Sequence, residues 1–282
     1  MTRIEPEITV LGAQGFVGSH LVRDIAGKGL RCYVPTRGSE AIFRRPLGHV
    51  IYCVGLTADY SARPFDTVEA HVSYYARILR DADFKSMTYL SSTRLYDSGD
   101  GDGVETSNLT LNPHNARHLY DFSKGLGEVL GLTCGRDNVR VARLASVYAD
   151  DLVGENFLHN LVRRALAASR ITLETCRDSA RDYVHIDDVC AGLLAIAREG
   201  KQSIYNLASG INVRNDTLFE LIERASGCHI NAIGEGVADR APSIDISALR
   251  KDLGIKPRAL KDALPSIIAG NIDSAPLQRA AS

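Results

Sequence analysis

The chain has 282 residues, of which 45% are hydrophobic and 24% charged, and its formal net charge of −1 gives no long-range field that would attract a nucleic acid. The N-terminus lacks the apolar core of a signal peptide and no stretch reaches the ~18 uninterrupted apolar residues of a membrane span, so we expect a cytoplasmic protein without a membrane partner. The six cysteines are scattered singly with no Cys-x-x-Cys pair, so the sequence supports neither a metal site nor a disulfide framework.

Strands and helices alternate along the first half of the chain. A β-branched run, EITVL, ends at a glycine, an amphipathic segment follows, and LRCYV is a second strand. Further strands are predicted at HVIYCVG (49–55), SMTYLSS (86–92) and VRVARLASVY (139–148), and helices at TVEAHVSYYARILRDA (67–82) and around Tyr120. Such alternation predicts an α/β fold of the Rossmann type, a doubly wound parallel sheet covered by helices on both faces.

The regular alternation of strands and helices ends after Tyr148, where helical segments and short strands follow one another less regularly. We expect a dinucleotide-binding domain over residues 1–150, with elements near 181–206 returning to it, and a smaller C-terminal substrate lobe over 151–180 and 207–270. The polar tail, 271–282, is expected to be flexible.

Three glycines occupy the turn between the first strand and the first helix. In LGAQGFVG they are Gly12, Gly15 and Gly18. Glycine lets the backbone turn sharply and lets a phosphate approach, and the following helix offers free N–H groups with partial positive charge. The segment therefore predicts a pyrophosphate cradle, although the same glycines could serve a tight turn alone.

Tyr120 and Lys124 are four residues apart on a predicted helix, so the phenol and the ammonium project from one face. A lysine is rarely buried without a partner, yet apolar residues surround this one. Taken alone, the pair could equally be an accidental pair of surface side chains.

The order and spacing of several motifs resemble the extended branch of the short-chain dehydrogenase/reductase superfamily, the nucleotide-sugar epimerases, dehydratases and ketoreductases. The motifs that carry this resemblance span most of the chain: LGAQGFVG (11–18), TYLSSTRLYD (88–97), YDFSK (120–124), RLASVY (143–148), RDYVHIDDV (181–189), YNLASG (205–210) and DISALRKDLGIKP (245–257).

The resemblance implies a catalytic set of Ser92, Tyr120 and Lys124. Tyr120 would exchange a proton with a sugar hydroxyl or carbonyl, Ser92 would hydrogen-bond the reacting oxygen, and Lys124 would hold the nicotinamide ribose. The ammonium and the nicotinamide would together pull the pKa of the tyrosine down towards the working pH. Phe16 and Val17, inside the glycine turn, would join the glycines in the cofactor site.

The end of the second strand bears on the choice of cofactor. Family members that prefer NAD carry an acidic residue there, which grips the ribose 2′-hydroxyl. This chain has Thr36 at that position and Arg37 beside it, and a guanidinium suits a 2′-phosphate, so the sequence favours NADP(H) over NAD(H). Arg37 could instead be a solvated loop charge.

The chain also departs from the family pattern. Between Arg37 and the third strand it has only GSEAIFRRPLG, where the family has another strand and a helix, so residues 38–48 must rebuild part of the adenine pocket. An asparagine common in the family is His71, which we interpret as a packing residue. Where dehydratases carry an Asp-Glu pair this chain has Thr93 and Arg94, which argues against a 4,6-dehydratase.

Groups for the substrate are expected from the second half of the chain. Arg181 matches a family arginine that reaches the substrate's phosphates, and Arg240 is a looser match. Ser146 replaces an asparagine of the family's phosphate site, and Thr93 neighbours the reacting oxygen. In HIDDV, we interpret the aspartates as caps of a helix and the histidine as a packing residue.

The sequence therefore predicts an NAD(P)-dependent oxidoreductase that acts on a nucleotide-activated sugar, with epimerisation and ketone reduction both open. A non-catalytic regulator or scaffold that binds nicotinamide is the alternative, although it would need none of the three catalytic residues. The resemblance also implies a homodimer through the helices near 67–82 and 115–132.

Overall fold

The computed structural model describes residues 6–234 and 238–272. The strands are β1 (Ile8–Leu11), β2 (Cys32–Tyr33), β3 (His49–Tyr52), β4 (Ser86–Ser92), β5 (Val139–Leu144), β6 (Ser146–Tyr148), β7 (Arg170–Leu173), β8 (Ala180–His185), β9 (Ile204–Leu207), β10 (Asn212–Arg214) and β11 (His229–Ala232). The helices are α1 (Phe16–Gly27), α2 (Pro64–Val68), α3 (Tyr74–Asp81), α4 (His118–Thr133), α5 (Phe157–Ala167), α6 (Ile186–Glu199), α7 (Asn215–Ser226), α8 (Ser247–Leu253) and α9 (Leu260–Ile272).

Six strands form one sheet in the order β2-β1-β3-β4-β5-β9, and every neighbouring pair is parallel. Helices α1 and α6 cover one face, while α3 and α4 cover the other. The strands are buried on both faces, which explains their nearly continuous apolar and β-branched composition. The prediction of a doubly wound, Rossmann-type parallel sheet is confirmed.

Aromatic side chains fill the layer between the sheet and the helices α3 and α4. The rings of Tyr52, Tyr75 and Tyr89 are fully buried, with centroids 4.5–5.8 Å apart. The hydroxyls of Tyr52 and Tyr89 donate to the backbone carbonyls of Ala70 and His71 at 2.6 and 3.0 Å. These bonds tie the third and fourth strands to the segment that carries His71.

A buried ion pair joins α4 to the fifth strand of the sheet. The guanidinium of Arg143 donates to both carboxylate oxygens of Glu128, at 3.0 and 2.6 Å, and both side chains are 4% exposed. Arg143 also donates to the hydroxyl of Tyr96 at 2.6 Å. Because removal of one partner would leave the other charge buried and unpaired, this pair holds the helix in one position on the sheet.

Two predicted elements differ from the structure in an informative way. The run 139–148 divides at Ala145, and its second half, β6, belongs to a separate three-stranded sheet ordered β10-β8-β6. The predicted helix at 67–82 begins earlier, at Pro64, and contains one π-helical turn, Glu69–Ser73. A continuous apolar run does not reveal where the chain passes from one sheet to another. The apolar periodicity of a helix likewise does not show that one turn contains an extra residue.

A second apolar cluster lies outside the main sheet, among α5, α7, α9 and the two-stranded sheet of β7 and β11. The ninth strand returns to the main sheet beside β5. Helix α9 reaches Ile272, so the first two residues of the predicted flexible tail are helical, and residues 273–282 lie outside the described residues. No helix in the described part of the chain combines the length and the apolar character that crossing a membrane requires.

The shortened segment 38–48 forms a single 3₁₀ turn, Glu40–Phe43. Ile42 and Leu47 are fully buried in the core. The guanidinium of Arg77, on α3, forms an ion pair with the carboxylate of Glu40 at 2.6 Å. Strand β2 is the edge of the sheet as described, so the family's additional strand is replaced by this turn.

Candidate active site

The glycine turn after β1 is closed tightly against the end of the neighbouring strand. Gly12 has φ +84°, and a Cβ built on it would lie 2.7 Å from the carbonyl carbon of Cys53. A Cβ on Gly18 would collide with the carbonyl oxygen of Gly12. Both positions therefore require glycine, because only glycine lets the backbone adopt this turn and lets α1 start directly against it.

The first turn of α1 is open to an anion. Gly15 is its N-cap, no side chain caps the free N–H groups, and no acidic residue lies in the first turn. Free donors and the positive end of the helix dipole are what a pyrophosphate needs, so the turn fits a dinucleotide. Phe16 and Val17 begin this helix, and the ring of Phe16 packs edge-on against His20 and His159 at 5.0 and 5.6 Å.

The residues predicted to select the cofactor lie where β2 ends. Thr36 and Arg37 are both exposed, and the carbonyl of Thr36 accepts a hydrogen bond from the amide of Ser39 at 3.1 Å. No ion pair within residues 6–234 and 238–272 includes Arg37. Its guanidinium is accordingly available to a ligand at this edge of the sheet.

The three predicted catalytic residues meet between the end of β4 and the first half of α4. Tyr120, Lys124 and Ser92 are 4%, 5% and 8% exposed, so all three are buried. The hydroxyl of Ser92 lies close enough to the phenol of Tyr120 to lower its pKa, and the Oγ of Ser92 accepts from the amide of Arg94 at 3.2 Å. The Nζ of Lys124 donates to the carbonyl oxygen of Leu90 at 2.8 Å.

Burial raises the pKa of Tyr120 above its ordinary value, because the phenolate is poorly solvated there. The hydrogen bond from Ser92 and the guanidinium of Arg94 act in the opposite direction. The sequence predicted that Lys124 and a bound nicotinamide together would favour the phenolate; Arg94 is a further cation that does so. In this structure the neighbouring cation is Arg94, while Lys124 points to a backbone carbonyl.

Arg94 is the residue of the site whose role the sequence did not reveal. Its guanidinium carbon lies 4.7 Å from the ring centroid of Tyr120 and 5.4 Å from that of Tyr60. The two rings are themselves 5.3 Å apart. Arg94 follows Ser92 by two residues, but nothing in the local sequence says that its side chain stacks on residues 26 and 34 positions away.

His71, predicted to be a packing residue, lies beside the catalytic pair. Ser123 donates to the carbonyl of Tyr120 at 2.8 Å, so its Oγ accepts from Nδ1 of His71, also at 2.8 Å. The other ring nitrogen accepts from the amide of Leu56 at 3.2 Å. Burial, and then the charge of Lys124, lower the pKa of His71 to about 2. The imidazole therefore stays neutral and positions α4 against the loop after β3.

The predicted substrate residues are only partly brought together. Thr93 lies next to Ser92 and donates to the carbonyl of Leu144 at 3.4 Å, and Ser146 follows on β6. Arg181 on β8 pairs with Asp239 and lies 3.8 Å from Asp97, at the end of the turn that starts with Thr93.

Arg240, in contrast, is 63% exposed and faces Asp178 at 3.8 Å. The backbone of Arg240 pairs with that of Ala180, which precedes Arg181. The two guanidinium groups nevertheless contact different carboxylates, Asp178 for Arg240 and Asp239 for Arg181. Within the described residues, no group of three or more His, Cys, Asp or Glu side chains is arranged as metal ligands would be.

The helix cap predicted in HIDDV is provided by a different residue. The Nδ1 of His185 accepts from the amide of Asp187 at 3.2 Å, so the histidine is the N-cap of α6 and the prediction of an aspartate cap is wrong. The carboxylates of Asp187 and Asp188 instead contact Arg258. His185 is 1% exposed and hydrogen-bonds Asp150 at 3.0 Å, as expected of a satisfied packing histidine.

A profile of the NAD dependent epimerase/dehydratase family matches residues 8–208. A curated relative, the dTDP-glucose 4,6-dehydratase of Streptomyces griseus, is 24% identical over 93% of each chain. The solved structure of MoeE5 in complex with UDP-glucose and NAD superposes with a TM-score of 0.81 and 19% identity, covering 96% of this chain and 100% of that one. The structure of RMD from Pseudomonas aeruginosa complexed with NADPH superposes with a TM-score of 0.74 and 20% identity, covering 95% of this chain and 99% of that one.

Lys124 should destabilise the fold in a pH-dependent manner. Burial lowers the pKa of Lys124 from 10.5 to about 7. Between these two pH values the unfolded chain therefore carries a proton on this lysine that the folded chain has lost. The free energy of unfolding of the wild type should therefore rise with pH between these two values. We expect Lys124→Met to be more stable than the wild type by on the order of 1–4 kcal/mol below about pH 7, with the difference shrinking as the pH rises.

Urea unfolding of both proteins across this pH range measures the difference. Lys261→Met, at an exposed position of α9, is the control and should change stability by less than about 0.5 kcal/mol at every pH. A Lys124→Met protein that is less stable than the wild type below about pH 7 would show that the buried ammonium is fully compensated.

Proposed function

The chain belongs to the NAD-dependent epimerase/dehydratase family, and on that premise we propose that it transfers a hydride between a nicotinamide and a sugar carbon of a nucleotide-activated sugar. Tyr120 is the acid/base, and the outcome is epimerisation or reduction of a 4-keto group. The observation that carries the proposal is the buried contact of Tyr120 with Ser92 and Arg94, on the same sheet edge as the glycine turn. A scaffold protein would need neither this contact nor the buried Lys124.

A nicotinamide bound at this edge supplies a two-electron acceptor or donor for the sugar carbon. In the oxidation of an alcohol, the C–H bond breaks as hydride leaves, and the O–H proton passes to the phenolate of Tyr120. Ser92 holds the reacting oxygen, and Arg94 favours the phenolate before the proton arrives. In the reduction of a ketone the same tyrosine returns the proton to the new alkoxide.

Lys124 and His71 hold this apparatus in place. Lys124 faces the loop after β3, since a Cβ on Gly55 would lie 3.3 Å from its Nζ, and in the proposal its ammonium holds the nicotinamide ribose. We also propose that Arg181 and Arg240 of the second lobe bind the diphosphate of the substrate. Arg181 would then exchange Asp239 for a phosphate oxygen.

Dehydration is not part of this proposal, even though several relatives are named dehydratases. Removal of water needs an acid and a base beside the reacting carbons. Directly after Ser92 this chain has Thr93 and Arg94, and the described side chain above the ring of Tyr120 is a guanidinium.

Tyr120→Phe tests the chemistry. The change removes the only ionisable atom of the ring and retains its packing, so we expect turnover to fall by about 10²–10⁴-fold while nicotinamide binding stays within about twofold. Hydride transfer is followed by nicotinamide absorbance over a panel of nucleotide sugars and keto-sugars, and binding by calorimetry. A catalytic amount of cofactor suffices for an epimerase, whereas a reductase consumes it stoichiometrically.

Tyr74→Phe is the matched control for this test, because Tyr74 is half-buried on α3 and its ring packs near Tyr52 instead of the site. It should retain full turnover. Retention of turnover in Tyr120→Phe would remove this tyrosine from the mechanism.

The cofactor proposed here is NADP(H), because Arg37 is exposed at the end of β2 and no acidic residue occupies the neighbouring position, Thr36. We expect Arg37→Ala to weaken NADP(H) binding by about tenfold and to leave NAD(H) binding unchanged, since only the 2′-phosphate contacts the guanidinium. Dissociation constants for both cofactors measure this, with Arg23→Ala, an exposed arginine of α1, as the control. An equal loss for both cofactors would contradict the assignment.

We further propose that the protein is a homodimer through α3 and α4. The outer face of α4 carries Phe122, Leu126 and Val129, which are 40%, 49% and 54% exposed and occur at helical spacing. Such a stripe on a long helix is typical of a helix that packs against another.

Leu126→Asp should therefore convert a dimer into a monomer in sedimentation experiments, because a carboxylate would be buried in the interface. Val153→Asp replaces an equally exposed apolar residue in a loop of the other lobe and should leave the dimer intact. A wild-type protein that sediments as a monomer would contradict this assignment.

A further inference from the structure

Arg94 is a half-buried cation that forms no ion pair within the described residues, and the nearby buried carboxylate of Asp121 acts on it only from a distance. The neighbouring arginines differ from it, since Arg117 pairs with Asp97 and Arg181 with Asp239. The guanidinium of Arg94 lies over the faces of two tyrosine rings, those of Tyr60 and Tyr120.

This arrangement leaves most of the guanidinium's hydrogen-bonding capacity free. A guanidinium has five N–H donors in a planar fork that matches the two oxygens of a carboxylate. Stacking on aromatic rings orients that plane but satisfies none of the in-plane donors. A partly buried charge with unused donors is therefore a group prepared for an anionic partner.

The position of the guanidinium relative to the reacting oxygen narrows the choice of anion. Ser92 and Tyr120 hold that oxygen in the proposed reaction, and the amide of Arg94 is bonded to the hydroxyl of Ser92. The guanidinium carbon of Arg94 lies 4.7 Å from the ring centroid of Tyr120, so a substituent on the ring carbon next to the reacting one would come near its donors. The diphosphate lies at the other end of the substrate, where the proposed function assigns Arg181.

We propose that Arg94 binds a carboxylate on the sugar ring, on the carbon next to the one that is oxidised, so that the substrate class is a nucleotide-linked hexuronic acid. This inference rests on the proposed function. A hydroxymethyl group at that carbon would use one donor, whereas a carboxylate engages the fork with two charge-assisted hydrogen bonds. The guanidinium also separates the carboxylate from the phenolate of Tyr120, two negative groups that would otherwise repel each other.

The test compares two substrates that differ only at that carbon, glucuronic acid and glucose, each linked to UDP and to dTDP. For the wild type we expect kcat/KM and affinity to favour the hexuronate by at least about tenfold. Arg94→Gln should bring this ratio to within about twofold of unity, and Arg94→Lys should retain part of it, because an ammonium keeps the charge and loses the fork. Because a paired and an unpaired Arg94 act differently on Tyr120, the ratio of affinities, which does not depend on proton transfer, decides the test.

Dissociation constants measured by calorimetry keep this test separate from that of the proposed function. If the hexuronate binds more tightly and Arg94→Gln abolishes the preference, the inference holds even when neither sugar turns over, and the missing turnover counts against the proposed reaction alone. Equal binding of both sugars by the wild type, or a preference that survives in Arg94→Gln, overturns the inference while turnover would still support the reaction. Arg163→Gln, which removes a half-buried arginine of α5, should leave both ratios unchanged.

Discussion

The central physical constraint is that a tyrosine which must lose and regain a proton is buried. Tyr120 is 4% exposed, and burial alone raises the pKa of its phenol. A phenolate there depends on neighbours that solvate it in place of water. Ser92 supplies a hydrogen bond and Arg94 a positive charge. The same burial excludes water from the reacting oxygen, so the arrangement that makes ionisation difficult is also the one that would make the proton transfer specific.

The scaffold places these groups by a small number of buried polar contacts. The parallel sheet brings the ends of β1, β3 and β4 to one edge, so the glycine turn, the loop at Leu56 and Ser92 become neighbours. Helix α4 is then held from two sides. On the sheet side Arg143 and Glu128 fix it to β5, and on the other side His71 and Ser123 fix its first turn. His71 lies in a π-helical turn, and such turns are common at functional sites.

The sequence predicted the features that depend on local pattern. Alternating strands and helices gave the parallel sheet, the glycine spacing gave the first turn, and the spacing of Tyr120 and Lys124 placed both on one helical face. Features that depend on tertiary contact were not accessible. The stacking of Arg94 on Tyr60 and Tyr120 joins three separate segments, and the break at Ala145 lies inside a continuous apolar run. The last helix was missed because Pro265, within it, is a residue that usually ends helices.

The measurement that tests this account most directly is the ionisation of Tyr120 itself. Carbon-13 labelling of the tyrosine Cζ atoms, with assignment by Tyr120→Phe, allows the pKa of this phenol to be followed by NMR. The account predicts a pKa above the ordinary value of 10 in the free protein, a further rise when Arg94 is replaced by methionine, and a fall when a nicotinamide dinucleotide binds. A Tyr120 that titrates at its ordinary value, or whose pKa does not respond to Arg94, would contradict it.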